Sequence, residues 1–314
     1  MTINIIKEKP LVWVVVPTWN RCDDLMECLQ SIQQLTYPNV KVVIIDNGSI
    51  DRTVIMVQEQ FPAMHLIQLD GNKGASVASN AGLTFAYTHN ADYFLRVDSD
   101  TVLSPDMLTE FILSAQRNPD TGLFGAKVFY YDTPDILWSI GAFRHHWHLG
   151  ALEISSEKED SDDFNSEIVV DYVWSAGILI SRQAYEATRG FDPDYFVYYE
   201  DVDFCLRIQA LGLQIRYVPT AVMQHKVGEE NPTAARAYQW GRGKMLFIRK
   251  WSSGVHRISL IIYAYSYALY RAVRPKAHAG NRGPLLPALR GLTTGLTQSI
   301  TIFSTSQAKN EDLD

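Results

Sequence analysis

The stretch DYFLRVDSDT, Asp92–Thr101, changes character in its middle. Asp92–Val97 is short and largely apolar, the composition of a buried strand. The residues after it are polar and place two carboxylates, Asp98 and Asp100, at i and i+2. On a turn just past a strand, two such carboxylates can converge on one divalent cation, and hard oxygen ligands suit Mg2+ or Mn2+. A lone pair of this kind is more often a polar turn, with Asp100 near a helix start. Its weight depends on what stands at the ends of the other strands.

Three earlier runs repeat the pattern. LVWVVVP (Leu11–Pro17), VKVVIID (Val40–Asp46) and HLIQL (His65–Leu69) read as buried strands. Between them, helices are expected over Asp23–Gln34, capped by Asp23 or Asp24, up to Gln60 after a cap at Ser49 or Asp51, and over Gly74–Thr88. A further helix runs from a Ser104 cap to Gln116. This alternation predicts an α/β fold with a parallel, doubly wound sheet of about 120 residues. Beyond it the regularity fails. GLFGAKVFYY and VDYVWSAGILIS look like strands, and between them lies a long loop or ribbon whose acidic stretch, Glu153–Glu167, reads as solvated.

In open α/β sheets, ligands bind beyond the carboxyl ends of the strands. Here those ends carry PTWN, DNGSID, DGNKGASVASNAG and DSD, all rich in groups that bind polar ligands. Gly71–Gly82 lacks the G-K-[ST] ending of a P-loop and is not G-x-G-x-x-G, so no dinucleotide fingerprint is present. Its small residues would let a helix approach a ligand or another backbone closely.

The 314 residues are 46% hydrophobic and 20% charged, a globular composition that fits one large domain or two small ones. No basic, apolar, small-residue leader opens the chain. The longest near-apolar run, Ile258–Tyr270, is short of the roughly 20 residues a membrane span needs. Cys22, Cys28 and Cys205 are an odd number without metal spacing, which suits a reducing cytoplasm and core packing. The net charge of −7 is uneven. Lys226–Arg290 holds 12 Lys and Arg against 2 acids, Glu229 and Glu230, while the rest holds 16 against 33.

FVYYEDVDFCLR (Phe196–Arg207) sets Glu200, Asp201 and Asp203 among large apolar residues. Read as a helix from Asp201, the period places Asp201 above Phe204, Cys205 and Ile208, on the buried face. Glu200 and Asp203 fall on a more external face, where Asp203 and Arg207 form an i,i+4 pair. A carboxylate at a helix N-terminus is favoured as an anion by the dipole, while apolar neighbours raise its pKa, so a general base could sit at Asp201.

Together VVPTWNR, VVIIDNGSID, NKGASVASNAG, VDSDT and GFDPDYFVYYEDVDFCLR resemble glycosyltransferase family 2, the inverting transferases of GT-A fold, and most of all its rhamnosyl- and galactofuranosyltransferase-like members. The likeness runs in order over Leu11–Trp251. It implies transfer of a sugar from a nucleotide-sugar to a hydroxyl, with inversion. It further implies a mostly parallel Rossmann-like sheet flanked by helices. A catalytic domain would span residues 1–251, with a nucleotide-binding half at about 11–120 and an acceptor half at about 121–251. A C-terminal helical extension covers 252–314.

By the same resemblance, Asp46 matches the acid that bonds the nucleobase. Pro17, Thr18 and Asn20 match the turn beneath the nucleotide, and Gly74 and Asn80 the segment near the ribose. Asp98 and Asp100 match the metal-binding pair, with Asp98 also at the nucleotide-sugar, and Asp201 the base. His225 in MQHKVG matches a metal-joining histidine, although a lone histidine is more often structural. Arg242 fits an arginine that reaches the diphosphate, but Gly243 replaces the usual asparagine beside it, and a basic solvated face fits equally. Trp174, which stacks on a sugar or packs in the core, and Glu200 are placed on the acceptor side. RHHWHLG (Arg144–Gly150) reads as an exposed ribbon, because histidines at i, i+1 and i+3 do not converge on a strand.

RISLIIYAYSYALYRAVR (Arg257–Arg274) fits either a helix lying in an anionic membrane interface or one packed on the catalytic domain or a second subunit. The expected partners are a UDP- or dTDP-linked donor and a glycan or lipid-linked acceptor, with Mn2+ or Mg2+, and no nucleic acid. The expected location is the cytoplasm, at the inner face of the cell membrane if the interface reading holds. Donor sugar, acceptor and oligomeric state stay open. A sugar nucleotidyltransferase would need a glycine-rich basic loop in place of PTWNR. A non-catalytic nucleotide-sugar-binding relative would not need its acids intact.

Overall fold

The structure, a computed structural model of the chain, describes residues 9–145, 147–155, 157–227, 233–273 and 284–300. His146, Glu229, Glu230, Arg274 and Lys276 lie outside them. The first half alternates as the sequence predicts: β1 (Val12–Thr18), α1 (Cys22–Gln33), β2 (Val40–Asp46), α2 (Thr53–Gln60), β3 (His65–Gln68), α3 (Ala75–Thr88) and β4 (Tyr93–Val97). Then come β5 (Thr101–Leu103), α4 (Met107–Arg117), β6 (Thr121–Tyr130), β7 (Ile136–Ser139), β8 (Ala142–Arg144), β9 (Ala151–Glu153), β10 (Lys158–Glu159) and β11 (Ile168–Val169). The order closes with β12 (Gly177–Ser181), α5 (Arg182–Thr188), α6 (Glu200–Ala210), β13 (Gln214–His225), α7 (Ala234–Trp251), α8 (Gly254–Val273) and α9 (Leu285–Thr297).

The expected caps are not used. Arg21, Arg52 and Asp106 hold the N-cap positions of α1, α2 and α4 without a side-chain bond. Asp51 instead accepts from the Thr53 amide at 3.0 Å, inside the turn.

β3, β2, β1 and β4 lie side by side and parallel. β12 is antiparallel between β4 and β6, and β13 runs parallel to β6, so the central sheet is mostly parallel. Both faces are covered. Val12, Val14 and Val16 pack with Leu25, Met56 and Phe111 of α1, α2 and α4. Trp13 and Val15 pack with Leu83, Ala184 and Phe204 of α3, α5 and α6. That is why β1 is apolar throughout instead of alternating. Each such burial contributes roughly 1.5–3 kcal/mol. The far end of β13 stays on β6, with His225 opposite Tyr130, and pairs on its other side with β5, setting His225 opposite Thr101 as well. This pairing decides the site.

The C-terminal helices share a smaller core of Met245, Ile248, Leu260, Ala264, Ala268 and Leu292. α7 also buries Leu246 and Phe247 in the core beside α6. α7 and α9 approach so closely that a Cβ on Gly291 would collide with the Tyr238 carbonyl oxygen. Gly241 and Gly295 meet the opposite helix's backbone in the same way.

Gly291→Ala tests this contact. Alanine should favour an α9 interior by about 1 kcal/mol on propensity alone. Overpacking costs typically 1–3 kcal/mol, so the variant should melt lower. A melting temperature that stays level or rises would contradict the close packing.

Candidate active site

The carboxyl ends of β1, β2 and β4 and the loop after β3 are bound to one another by short polar contacts. The Asn47 side chain accepts from the Lys73 amide at 2.8 Å and donates to the Gly74 carbonyl at 3.2 Å. Asn20, at φ 52°, accepts from the Ile50 amide at 2.8 Å. Asp46 is buried, and its carboxylate accepts from the Ser49 amide at 3.2 Å. Pro17 and Thr18 close β1 beneath this turn, and the buried Thr18 hydroxyl has no partner. Gly74, at φ 90°, leaves no room for a Cβ against the Phe196 backbone, and the Ala75 amide donates to the Phe196 carbonyl at 2.6 Å. The loop after β3 is thereby tied to the segment that leads into α6.

Beyond β4 the acids gather. Asp98, Asp100 and His225 each offer a ligand atom, and these atoms all lie within 4.8 Å of one another. His225 Nε2 is 3.2 Å from Asp100 Oδ1, and Arg21 is 3.5 Å from Oδ2. Burial raises the Asp100 carboxyl, but the His225 hydrogen bond and the neighbouring positive charges outweigh it and leave it below its usual range. Two carboxylates and an imidazole converging from a turn and a strand end can hold Mn2+ or Mg2+. The His225 Nδ1 is buried without a partner, while the edge of Trp138 packs 4.7 Å away between ring centroids.

Arg96 is the residue that sequence reasoning passed over. It is 3% exposed. Its guanidinium lies 2.6 Å from Asp98 Oδ1, donates to Ser79 Oγ at 3.3 Å, and donates to the Ser175 carbonyl. Its charge also reaches Glu200 and Asp201. A charged residue inside an otherwise apolar strand was the available signal. Arg21 carried only its place after PTWN, and Glu153 no signal beyond its acidic stretch.

The helical-face expectation for the acid cluster needs correction. Asp201 is half-buried, whereas Glu200 is 8% and Asp203 1% exposed. α6 is enclosed nearly all round, so its supposed outer face also meets protein. Asp203 accepts from Arg207 at 2.9 Å, from the Trp251 indole at 2.9 Å and from the Tyr195 hydroxyl at 3.4 Å. The Asp203–Arg207 pair is buried within α6, and the Trp251 indole bond to Asp203 ties α6 to α7. Burial, then the Asp201 charge, raises the Glu200 carboxyl, and Glu200 Oε2 has no hydrogen-bond partner. Burial also raises Asp201, to about 6, against the Val202 amide that bonds its carboxylate. The turn before α6 puts Tyr198 and Tyr199 at φ 70° and 72°, strain that persists only where its surroundings enforce it.

Other expected residues sit elsewhere. Both amide atoms of Asn80 are bonded to the Phe191 backbone, at 2.7 and 2.8 Å, so Asn80 pins the loop before α6. Arg242 donates to Gln298 at 2.8 Å beside α9. Gly243 departs from the family pattern because a Cβ there would lie 2.6 Å from the Tyr198 carbonyl oxygen. Trp174 is half-buried and bonds the Glu153 carboxylate.

The model of the family described as glycosyl transferase family 2 matches residues 13–188. The chain belongs to glycosyl transferase family 2. Among its relatives, the dTDP-rhamnosyl transferase RfbF of Shigella flexneri is 23% identical over 252 residues, covering 76% of this chain and 80% of that protein. An N-acetylglucosaminyl-diphospho-decaprenol L-rhamnosyltransferase of Mycobacterium tuberculosis is 26% identical over 238 residues, 68% of this chain and 75% of that protein. Other relatives are much longer: the chain spans 24% of the uncharacterized protein y4gI of Sinorhizobium fredii, at 26% identity. The fold is that of a mannosyltransferase from Pyrobaculum calidifontis in complex with GDP-Man and Mn2+. That likeness has a TM-score of 0.54 and 18% identity, and covers 94% of this chain and 77% of that one. It is also that of GalNAc-T7 with UDP, GalNAc and Mn2+, with a TM-score of 0.63, 12% identity, and 98% and 57% of the two chains covered. These likenesses bear out the GT-A architecture expected from the sequence.

Asp203→Asn separates a buried tie from a surface pair. Exposed pairs are worth about 0–1 kcal/mol, whereas breaking a buried one costs about 3–5. Urea denaturation should show a loss in the upper range. A loss below about 1 kcal/mol would return Asp203 to the surface.

Proposed function

We propose that the protein is an inverting glycosyltransferase. It moves a sugar from a UDP- or dTDP-linked donor to a hydroxyl of a polysaccharide or lipid-linked glycan. The observation that carries this is the convergence of Asp98, Asp100 and His225 at the carboxyl end of β4, with the Arg96 charge joining them to Asp201 at the start of α6.

Asp98, Asp100 and His225 would hold Mn2+ or Mg2+, which neutralises charge on the departing diphosphate. Asp46 would meet the base, with Pro17, Thr18 and Asn20 forming the turn beneath the nucleotide and Gly74 admitting close backbone approach. Arg21, already beside Asp100, is placed to meet the diphosphate. Arg242 would have to leave Gln298 to do so, and Asn80 acts by fixing the loop before α6. Trp174 and Glu200 lie towards the acceptor.

The acceptor oxygen attacks the anomeric carbon opposite the diphosphate. The new C–O bond forms as the bond to the diphosphate breaks, inverting the configuration, and the hydroxyl proton passes to Asp201. Such proton removal typically contributes about 10²–10⁴-fold. Glu200, raised to about 8, keeps its proton at neutral pH and leaves Asp201 as the anionic partner.

The outer face of α8 supports work at a membrane surface. Val255, Ile258, Ile262 and Leu269 are exposed there, while Leu260, Ala264 and Ala268 pack inward. The packed and interfacial readings of this helix are therefore compatible. No described helix is long and apolar enough to cross a membrane. Residues 254–273 hold no acid, and their cations are Arg257 and Arg271. The Arg257 guanidinium is engaged by the Ser252 and Arg249 carbonyls, so apolar area is the larger contribution.

Asp201→Asn should lower turnover at least about 10²-fold while donor affinity stays, and Glu200→Gln should cost less. Wild-type turnover should fall as pH drops through about 6, where Asp201 takes up its proton. An active Asp201→Asn enzyme would remove the base assignment. EDTA should weaken binding of UDP or dTDP, and Asp100→Asn should do the same without unfolding; unchanged affinity would remove the metal site. In co-sedimentation the protein should bind anionic vesicles more than neutral ones, and salt should weaken the difference. Ile258→Asp with Ile262→Asp should abolish binding. Vesicle-indifferent wild type would refute the interface role of α8.

A further inference from the structure

The ribbon between β7 and β11 reads from sequence as an exposed, solvated loop, but its hairpin joins two surfaces. β8 and β9 pair with each other, with Ala142 opposite Glu153 and Phe143 opposite Leu152. Ala142 ties the hairpin to the body by backbone bonds to Tyr172 at 3.0 Å. At this end the Glu153 carboxylate accepts from the Ser139 hydroxyl at 3.5 Å and from the Trp174 indole. Although Glu153 as a residue is exposed, shelter of its carboxyl raises it to about 7, and the Asp201 charge adds to the rise. The hairpin therefore begins within electrostatic reach of the proposed base.

The other end lies three residue pairs away, about 10 Å along a strand. There the turn carries Trp147, which is 47% exposed. Its ring stands edge-on to Tyr263 of α8, with centroids 5.5 Å apart, and His148 stacks on Tyr263 at 6.0 Å. His256 bonds the Trp147 carbonyl at 2.6 Å. The turn is thus fixed on α8 with an indole turned to solvent. Between the two ends, Phe143 and Leu152 are half-exposed on the hairpin's outer side.

We propose that the β8–β9 hairpin is an acceptor-binding arm: Glu153, held by the Trp174 indole, bonds hydroxyls near the reacting sugar, and Trp147 stacks on a sugar further along the chain. The acceptor is then a neutral oligosaccharide and not a single sugar. This rests on the glycosyltransferase reading. Its chemistry favours a glycan over a protein partner. A flat aromatic face and a carboxylate suit C–H faces and hydroxyls, and the apolar area between them is the single cross-strand pair Phe143–Leu152, well short of the roughly 800 Å² per partner of a stable protein interface.

The test is titration calorimetry with Mn2+ and UDP or dTDP present, using maltose-series and rhamnose-series ladders from the monosaccharide to the hexasaccharide. Wild type should bind the longer members of at least one ladder about tenfold more tightly than the monosaccharide. Trp147→Ala should remove that length dependence, and Glu153→Gln should weaken every length. Both variants should keep wild-type nucleotide affinity and melting temperature. Length dependence unchanged in Trp147→Ala, or no sugar binding by a wild type that binds nucleotide, would overturn the arm. A wild type that binds neither nucleotide would instead overturn the transferase reading.

Discussion

One buried cation makes the acid-rich centre tolerable. Asp98, Glu200 and Asp201 draw towards one another at the carboxyl end of the sheet, and burial holds the Glu200 and Asp201 carboxyls above their usual range. Arg96 lies beneath them, and its charge lowers the pKa of both Glu200 and Asp201. Removing an ion from water costs several kcal/mol, so a buried guanidinium persists only when its donors are used. Asp98, Ser79 and the Ser175 carbonyl use them. The same contacts bring β4, α3 and the turn before β12 to one point. One carboxylate oxygen of Asp98 is thereby engaged by Arg96.

A second constraint holds α6 in place. Lys250 is paired with Asp192 and lies 3.6 Å from Asp194, in the loop that Asn80 pins. The next residue, Trp251, bonds Asp203 on α6. Gly243, two turns earlier on α7, admits the strained Tyr198–Tyr199 turn that starts α6. α7 therefore fixes both the start and the inner side of the helix that bears Asp201. The close α7–α9 packing and the α8 core stand behind it, so the C-terminal helices act on the site through α7.

Much of this was legible in the chain. Val-rich strands covered on both faces announce themselves, and the polar strand ends follow from the topology, so Asp98, Asp100 and the turn residues were found where the sheet places them. Helical periodicity failed at α6 because it assumes one buried face, and this helix has protein nearly all round. Caps were misplaced because Ser49, Asp51 and Ser104 are turn formers as much as cap formers, and the turn chemistry prevailed. His225 could be paired with Asp100 only by knowing that β13 reaches β5, 124 residues apart at its end. Glu153 was hidden for the same reason: nothing local says that a hairpin folds an acidic stretch back towards Asp201.

The central claim is that Asp98, Asp100 and His225 form one cation site for a departing nucleoside diphosphate. The most direct measurement is anomalous diffraction at the manganese edge from crystals grown with Mn2+ and UDP or dTDP. The account predicts a single strong peak within about 2.0–2.5 Å of Asp100 and His225, with Asp98 and the diphosphate completing the shell. A diphosphate bound elsewhere, or a peak that leaves Asp100 and His225 paired only with each other, would contradict it.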